Sequence, residues 1–228
     1  MEAQELNPFF SLITALSGGM WISVKVFFLT LLFSLPGGLL IAFGRMSKIK
    51  VISVPVNIFM LIIRGTPLML QIIFVYFAPA HISQWLGHRF HFDSFVAVII
   101  AFAVNYAAYF AEIYRGGIQS VPVGQEEAGL VLGMTKSQIF FKVKLLQMVK
   151  RIVPPVSNEI ITLVKDTSLS RIIALQEVIW AGQAFMKGSQ GISGAIWPLF
   201  FTAVYYLIFS GILTVLLGKL ERKLDYFR

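Results

Sequence analysis

Gly124-Gln125-Glu126-Glu127-Ala128-Gly129-Leu130-Val131-Leu132-Gly133-Met134 lies between two long apolar runs, and its reading decides the fold. It reads as a short amphipathic helix over about 122–133. Pro122 suits a first helical position, because its fixed φ is already helical and its missing N–H is not needed there. Gly133 suits a C-terminal stop. Thr135, followed three residues on by Gln138, predicts a capping box for a second helix. The expected arrangement is helix, sharp turn, helix, in a loop facing the cytoplasm.

Composition sets the surroundings of that loop. Of 228 residues, 57% are hydrophobic and only 13% charged, with mean hydropathy +0.79, values a soluble domain rarely reaches. Long, non-alternating apolar runs favour membrane-spanning helices over a barrel. The fold class expected is an all-α integral membrane protein with about five transmembrane helices. The net charge of +8 does not imply nucleic acid, because the cations flank the apolar runs and so report topology. With no cysteine, disulfide and thiolate chemistry are excluded. Glu2 and Glu5 precede the first apolar run where a signal peptide would carry basic residues, so no cleavage is expected.

Five spans follow from a requirement of ~20 apolar residues each. The first is 21–43, with Pro36-Gly37-Gly38 inside it as a possible kink. Arg45, Lys48 and Lys50 place the next loop inside and the N-terminus outside. The second run, 51–78, is too long for one plain span and is interrupted by Arg64-Gly65-Thr66-Pro67, which breaks a helix. The loop from Pro79 to Ser94, where Arg89 offsets Asp93, is expected outside. The third span is 95–114. The loop after it carries Lys136, Lys142, Lys144, Lys150 and Arg151, so it is cytoplasmic. The fourth run, from Ile152 to Trp180, is broken at Lys165-Asp166-Thr167-Ser168. A glycine-rich outer loop from Gly182 to Gly194 leads to the fifth span, 195–217. The C-terminal tail is basic and cytoplasmic. The expected domains are an extracytoplasmic segment 1–20, a membrane domain 21–217 and a tail 218–228.

Glu127-Ala128-Gly129 followed by Gly133 resembles the "Glu-Ala-Ala, three residues, Gly" loop of ABC importer permeases. The chain departs from that pattern at Gly129, in place of the second Ala, and at Leu146, in place of the usual Pro. Arg64-Gly65-Thr66-Pro67-Leu68 and Lys165-Asp166-Thr167-Ser168-Leu169 are similar to segments of the polar amino acid uptake group. The stretch Tyr109 to Ile118 and the ending Leu220-Glu221-Arg222-Lys223-Leu224 also fit. The resemblance implies the type I permease fold, with the short loop helix as a coupling helix. It implies a dimer with an identical or homologous permease, two cytoplasmic ATP-binding subunits and an extracytoplasmic solute-binding protein. No catalytic residue and no cofactor are expected in this chain; ATP and Mg are used by the partner ATPase. The chain shows no Gly-x-x-x-x-Gly-Lys-Ser/Thr loop, which agrees. The resemblance places the protein in the cell (inner) membrane, with lipid but no nucleic acid as partner.

The ATPase-coupling residues implied are Gly124, Glu127, Ala128, Gly129 and Gly133, where small side chains admit a partner and Glu127 offers it a charge. The bland reading is tight packing against this chain's own helices. The candidate substrate-binding residues are Arg64, Thr66, Gln71, Asn105, Asp166 and Ser168. Arg64 near a helix break either binds a substrate carboxylate or snorkels to headgroups. Asp166 either holds an amino group or pairs internally with Lys165 or Arg64. Thr66 and Gln71 could add hydrogen bonds, Asn105 and Tyr106 either line a cavity or join helices, and the Thr167 and Ser168 hydroxyls either face substrate or bond their own backbone. Glu112 and Arg115 form an i, i+3 pair, and Lys25 snorkels. His81, His88 and His91 match no metal site. A channel or membrane-embedded enzyme without an ATPase partner is the rival class.

Overall fold

α1 runs unbroken over Pro8–Met46 and carries Pro36 within it. It therefore begins well before the predicted start of the first span, and residues 8–20 are helical. The structure, a computed structural model, describes residues 8–85, 87, 90–187 and 196–224. Glu2, Glu5, His88 and Arg89 of the sequence argument lie outside the described residues.

α2 (Lys50–Gly65) and α3 (Leu68–Trp85) are separated at Thr66-Pro67, as the helix-breaking residues predict. Pro79–Trp85, expected in a loop, continue α3. α4 (Ser94–Gln119) starts where the Asp93 carboxylate accepts the Phe95 N–H at 2.9 Å, which satisfies one free donor of the first turn. α5 (Val123–Val131) and α6 (Lys136–Ile139) form the loop pair. A π-helical turn, Phe140–Lys144, leads into α7 (Leu145–Asp166). A 3-10 segment, Thr167–Ile173, follows and ends at Ala174 in the left-handed conformation, φ 60°. α8 (Val178–Lys187) occupies part of the expected glycine-rich loop, and the rest, 188–195, lies outside the described residues. α9 (Trp197–Leu224) continues through most of the expected tail.

Among the described residues, four helices are long and apolar enough to cross a membrane: Phe9–Met46, Leu68–Trp85, Ser94–Gln119 and Trp197–Leu224. α7, the first half of the expected fourth span, is not one of them. Lys150, Arg151, Glu159, Lys165 and Asp166 interrupt its apolar residues.

The helices form two compact units. One comprises residues up to Leu32, Thr66–Ala103 and Thr162–Ile212. Its core packs Leu12 and Leu16 of α1 against Val178 and Ala181 of α8, with Trp197, Phe201 and Tyr205 of α9 around them. The other comprises Phe33–Gly65, Val104–Ile161 and the chain from Leu213. In its core Ala42, Ala108 and Ala111 surround Met60, with Val56, Phe59, Ile63 and Tyr114 at the edge. Small residues let α1, α2 and α4 approach closely, which is how helices gain dispersion contacts where lipid supplies no hydrophobic drive.

Candidate functional site: an exposed elbow and an arginine cluster

The elbow is built from local rules. Pro122, with ψ 140°, is the residue before α5 rather than its first helical residue. The chain then turns at Gly133, whose φ of +74° suits glycine and costs other residues strain. The Gly133 N–H donates to Leu130 O and the Met134 N–H to Gly129 O, so carbonyls at the end of α5 are satisfied. The predicted capping box is present. The Gln138 N–H donates to Thr135 Oγ1 at 3.2 Å, and the Thr135 N–H donates to Gln138 Oε1 at 2.9 Å.

Gly129 packs inside the elbow. It is buried, and a Cβ there would stand 2.6 Å from Cγ1 of Ile139, itself buried on α6. Its lack of a side chain lets α5 lie closely on this chain's own α6. Lys144 pairs with Glu126 and fastens α5 to the π-helical turn. That hydrogen bond, with the Lys144 and Lys136 charges, holds the Glu126 carboxyl below its ordinary range. Gly124, Glu127 and Ala128 are exposed, as are Val123, Val131 and Leu132, the last two at 87% and 79%. α5 is thus anchored on one side and apolar on the open side. At the second departure, Leu146 sits in a helix that runs on from the π turn, where a proline would remove a backbone donor and clash with the preceding turn.

The second feature lies in the same unit. Glu112 of α4 pairs with Arg115, as the i, i+3 spacing predicts, but also with Arg45 at the end of α1 and Arg64 at the end of α2. Arg64, considered above as a partner for Asp166, stands 3.5 Å from Glu112 Oε2, and its guanidinium carbon lies 5.6 Å from the centre of the Tyr109 ring. Arg45 also donates to Asn57 Oδ1 at 2.9 Å. Asn105 is buried on the same helix as Glu112.

The remaining candidates belong to the other unit. Gln71 Nε2 donates to Thr66 Oγ1 at 2.9 Å and to Thr66 O at 3.1 Å, so these two residues join each other across the start of α3. Asp166 and Ser168 are partly buried where α7 passes into the 3-10 segment. The Thr167 hydroxyl donates to Val164 O at 2.7 Å, the bland alternative for that residue. Lys25 Nζ lies 5.5 Å from the centre of the Phe95 ring, a cation–π contact. His81 and His91 are exposed.

Glu177 escaped the sequence reading. It is fully buried, and its carboxylate accepts the Ile179 N–H at 2.8 Å and the Trp180 N–H at 2.7 Å, capping α8. Tyr206 Oη donates to it at 3.2 Å. An acidic residue just before the apolar Val178-Ile179-Trp180 was the available signal.

Charged helix ends inside long apolar helices, together with an anchored, exposed elbow, define a polytopic α-helical membrane component. The chain belongs to the family described as the binding-protein-dependent transport system inner membrane component, which it matches over residues 34–226. It is 33% identical to the L-cystine transport system permease protein TcyB of Bacillus subtilis, over 93% of this chain and 87% of that one. It is 35% identical to the glutamine transport system permease protein GlnP of Escherichia coli, over 90% and 89% of the two chains. A crystal structure of an amino acid ABC transporter with histidines superposes with a TM-score of 0.82 at 29% identity, covering 94% of this chain and 96% of that one. An inward-facing structure of the MetNI methionine ABC transporter shares the fold, with a TM-score of 0.68 at 19% identity, over 94% and 98% of the chains. The expected all-α permease fold and inner-membrane location accord with these matches.

Proposed function

We propose that this chain is the permease subunit of an ATP-driven ABC importer that moves polar amino acids into the cell by alternating access. The observation that carries the proposal is the elbow. α5 is held to its own chain through Gly129 and Glu126, while Val123, Glu127, Ala128, Val131 and Leu132 stay exposed. Exposed apolar side chains on a fixed helix suit docking into a groove of a cytoplasmic ATP-binding subunit. ATP and Mg then act in that partner, whose closure biases the packing of the spans. The permease pairs with an identical or homologous permease, and an extracytoplasmic solute-binding protein delivers the solute. The N-terminus lies outside and the C-terminus in the cytoplasm. Cations at Arg45, Lys48 and Lys50, and again from Lys136 to Arg151, support that orientation.

The names of the relatives support amino acids as the solute class. Arg64 is the proposed carboxylate contact, being a half-exposed cation beside a helix break. Asp166 is the proposed contact for an amino group. Thr66, Gln71, Asn105 and Ser168 are proposed polar contacts. Coexpression with the candidate ATPase tests the class: the complex is recovered with the wild type and lost with Glu127→Lys. If the wild type recovers no ATPase, the importer reading fails. Uptake lost in Arg64→Ala and Asp166→Asn, with the complex intact, supports the contacts, and normal uptake in both refutes them.

A further inference from the structure

Glu112 stands among more positive charge than it can neutralise. Three guanidiniums, from Arg45, Arg64 and Arg115, reach its carboxylate. Their contacts are unequal. Arg115 engages both oxygens through Nε and Nη2, and Arg45 hydrogen-bonds Oε2 closely. Arg64 stands off at 3.5 Å from that same Oε2. Its side chain is also the most exposed of the three, at 39% against 24% for Arg45 and 27% for Arg115. The Tyr109 ring lies beside the Arg64 guanidinium and supports it independently of Glu112.

We infer that Glu112 is a positioning residue: it holds Arg64 in the empty permease and yields it to the carboxylate of the arriving amino acid. The inference rests on the importer reading above. When Arg64 leaves, Glu112 keeps Arg45 and Arg115, so no carboxylate is stranded without a partner. The arriving carboxylate takes over Arg64 as a charge-assisted pair. Glu112 and the substrate therefore compete for one cation. The cluster reads the carboxylate shared by all amino acids, not the side chain that distinguishes them. Its excess of two positive charges, three guanidiniums less one carboxylate, disfavours a ligand whose carboxylate has been removed.

The test uses the purified permease–ATPase complex without its solute-binding protein. Each common L-amino acid is titrated by calorimetry, and the tightest binder is retested as its α-carboxamide. The wild type is expected to prefer the acid by roughly tenfold, the scale of one charge-assisted contact. Arg64→Ala is expected to weaken the acid to the level of the amide and leave the amide unchanged. Glu112→Asp keeps the charge for Arg45 and Arg115 but shortens the reach to Arg64, and is expected to tighten the acid severalfold. Weakening by Glu112→Asp, or an acid preference that survives Arg64→Ala, overturns the inference. If Glu112→Asp yields no monodisperse complex, the acid-to-amide ratios of Arg64→Lys and Arg64→Ala decide: preference kept in the first and lost in the second supports the exchange. Uptake by the reconstituted complex with acid and amide bound alike would sink the inference alone. Absence of uptake for every amino acid, once the solute-binding protein is added to the reconstituted complex, would sink the importer reading, and the inference with it.

Discussion

Replacing Gly129 with alanine puts the elbow's packing to a quantitative test. The added Cβ would lie 2.6 Å from Ile139 Cγ1 and 2.9 Å from Cδ1, closer than real carbon contacts allow. Ile139 is only 1% exposed, so it has little room to retreat. Overpacking of this kind costs about 1–3 kcal/mol. Alanine recovers about 1 kcal/mol of helix propensity over glycine. The net expectation is a destabilisation of about 0–2 kcal/mol, localised to α5. By hydrogen exchange in nanodiscs, protection of the α5 amides should fall by up to roughly thirtyfold, since 1.4 kcal/mol is a factor of ten. In an Ile139→Ala background the obstructing atoms are gone and only the propensity gain remains. Gly129→Ala should then raise protection, by roughly fivefold. An equal change in both backgrounds would refute the Gly129–Ile139 contact as the reason for glycine here.

Other perturbations separate the parts of the molecule. Gly133→Val forces a β-branched residue to φ +74° and should cost about 1–2 kcal/mol, seen as reduced recovery of the ATPase complex, whereas Gly133→Asn should be nearly tolerated. The Glu126 carboxyl is held below its ordinary value of 4.5 by Lys144, so its contribution is complete above that value and is lost as pH falls through the lower folded value. A spin label at residue 131 should become more mobile on acidification below about pH 4.5, and Glu126→Gln should abolish that response. Glu177→Ala leaves the part-buried Ile179 and Trp180 N–H groups without their acceptor and should cost about 1–3 kcal/mol in thermal unfolding, with Tyr206→Phe costing less.

What could be read from the sequence was mostly local. The break at Thr66-Pro67, the stop at Gly133 and the capping box of Thr135 with Gln138 each depend on residues within a few positions of one another. The lengths of α1 and α9 were underestimated because the sequence windows followed bilayer thickness, while the helices continue past it with no breaking residue to stop them. The packing of Gly129 was not legible because only the fold brings Ile139 over it. The Glu112 cluster was half visible: Arg115 is one turn away, but Arg45 and Arg64 are 67 and 48 positions earlier in the chain. Spacing rules do not extend to such contacts.

The sharing of Glu112 also bears on how the protein is made. Arg45 and Arg64 leave the ribosome before the carboxylate that will neutralise them exists. Both guanidiniums stand in the last turns of their helices. Their joining is therefore a late event, because α4 must arrive before the ends of α1 and α2 share a counter-ion. A chain interrupted before Glu112 would keep two like-charged helix ends without the carboxylate that ties them together.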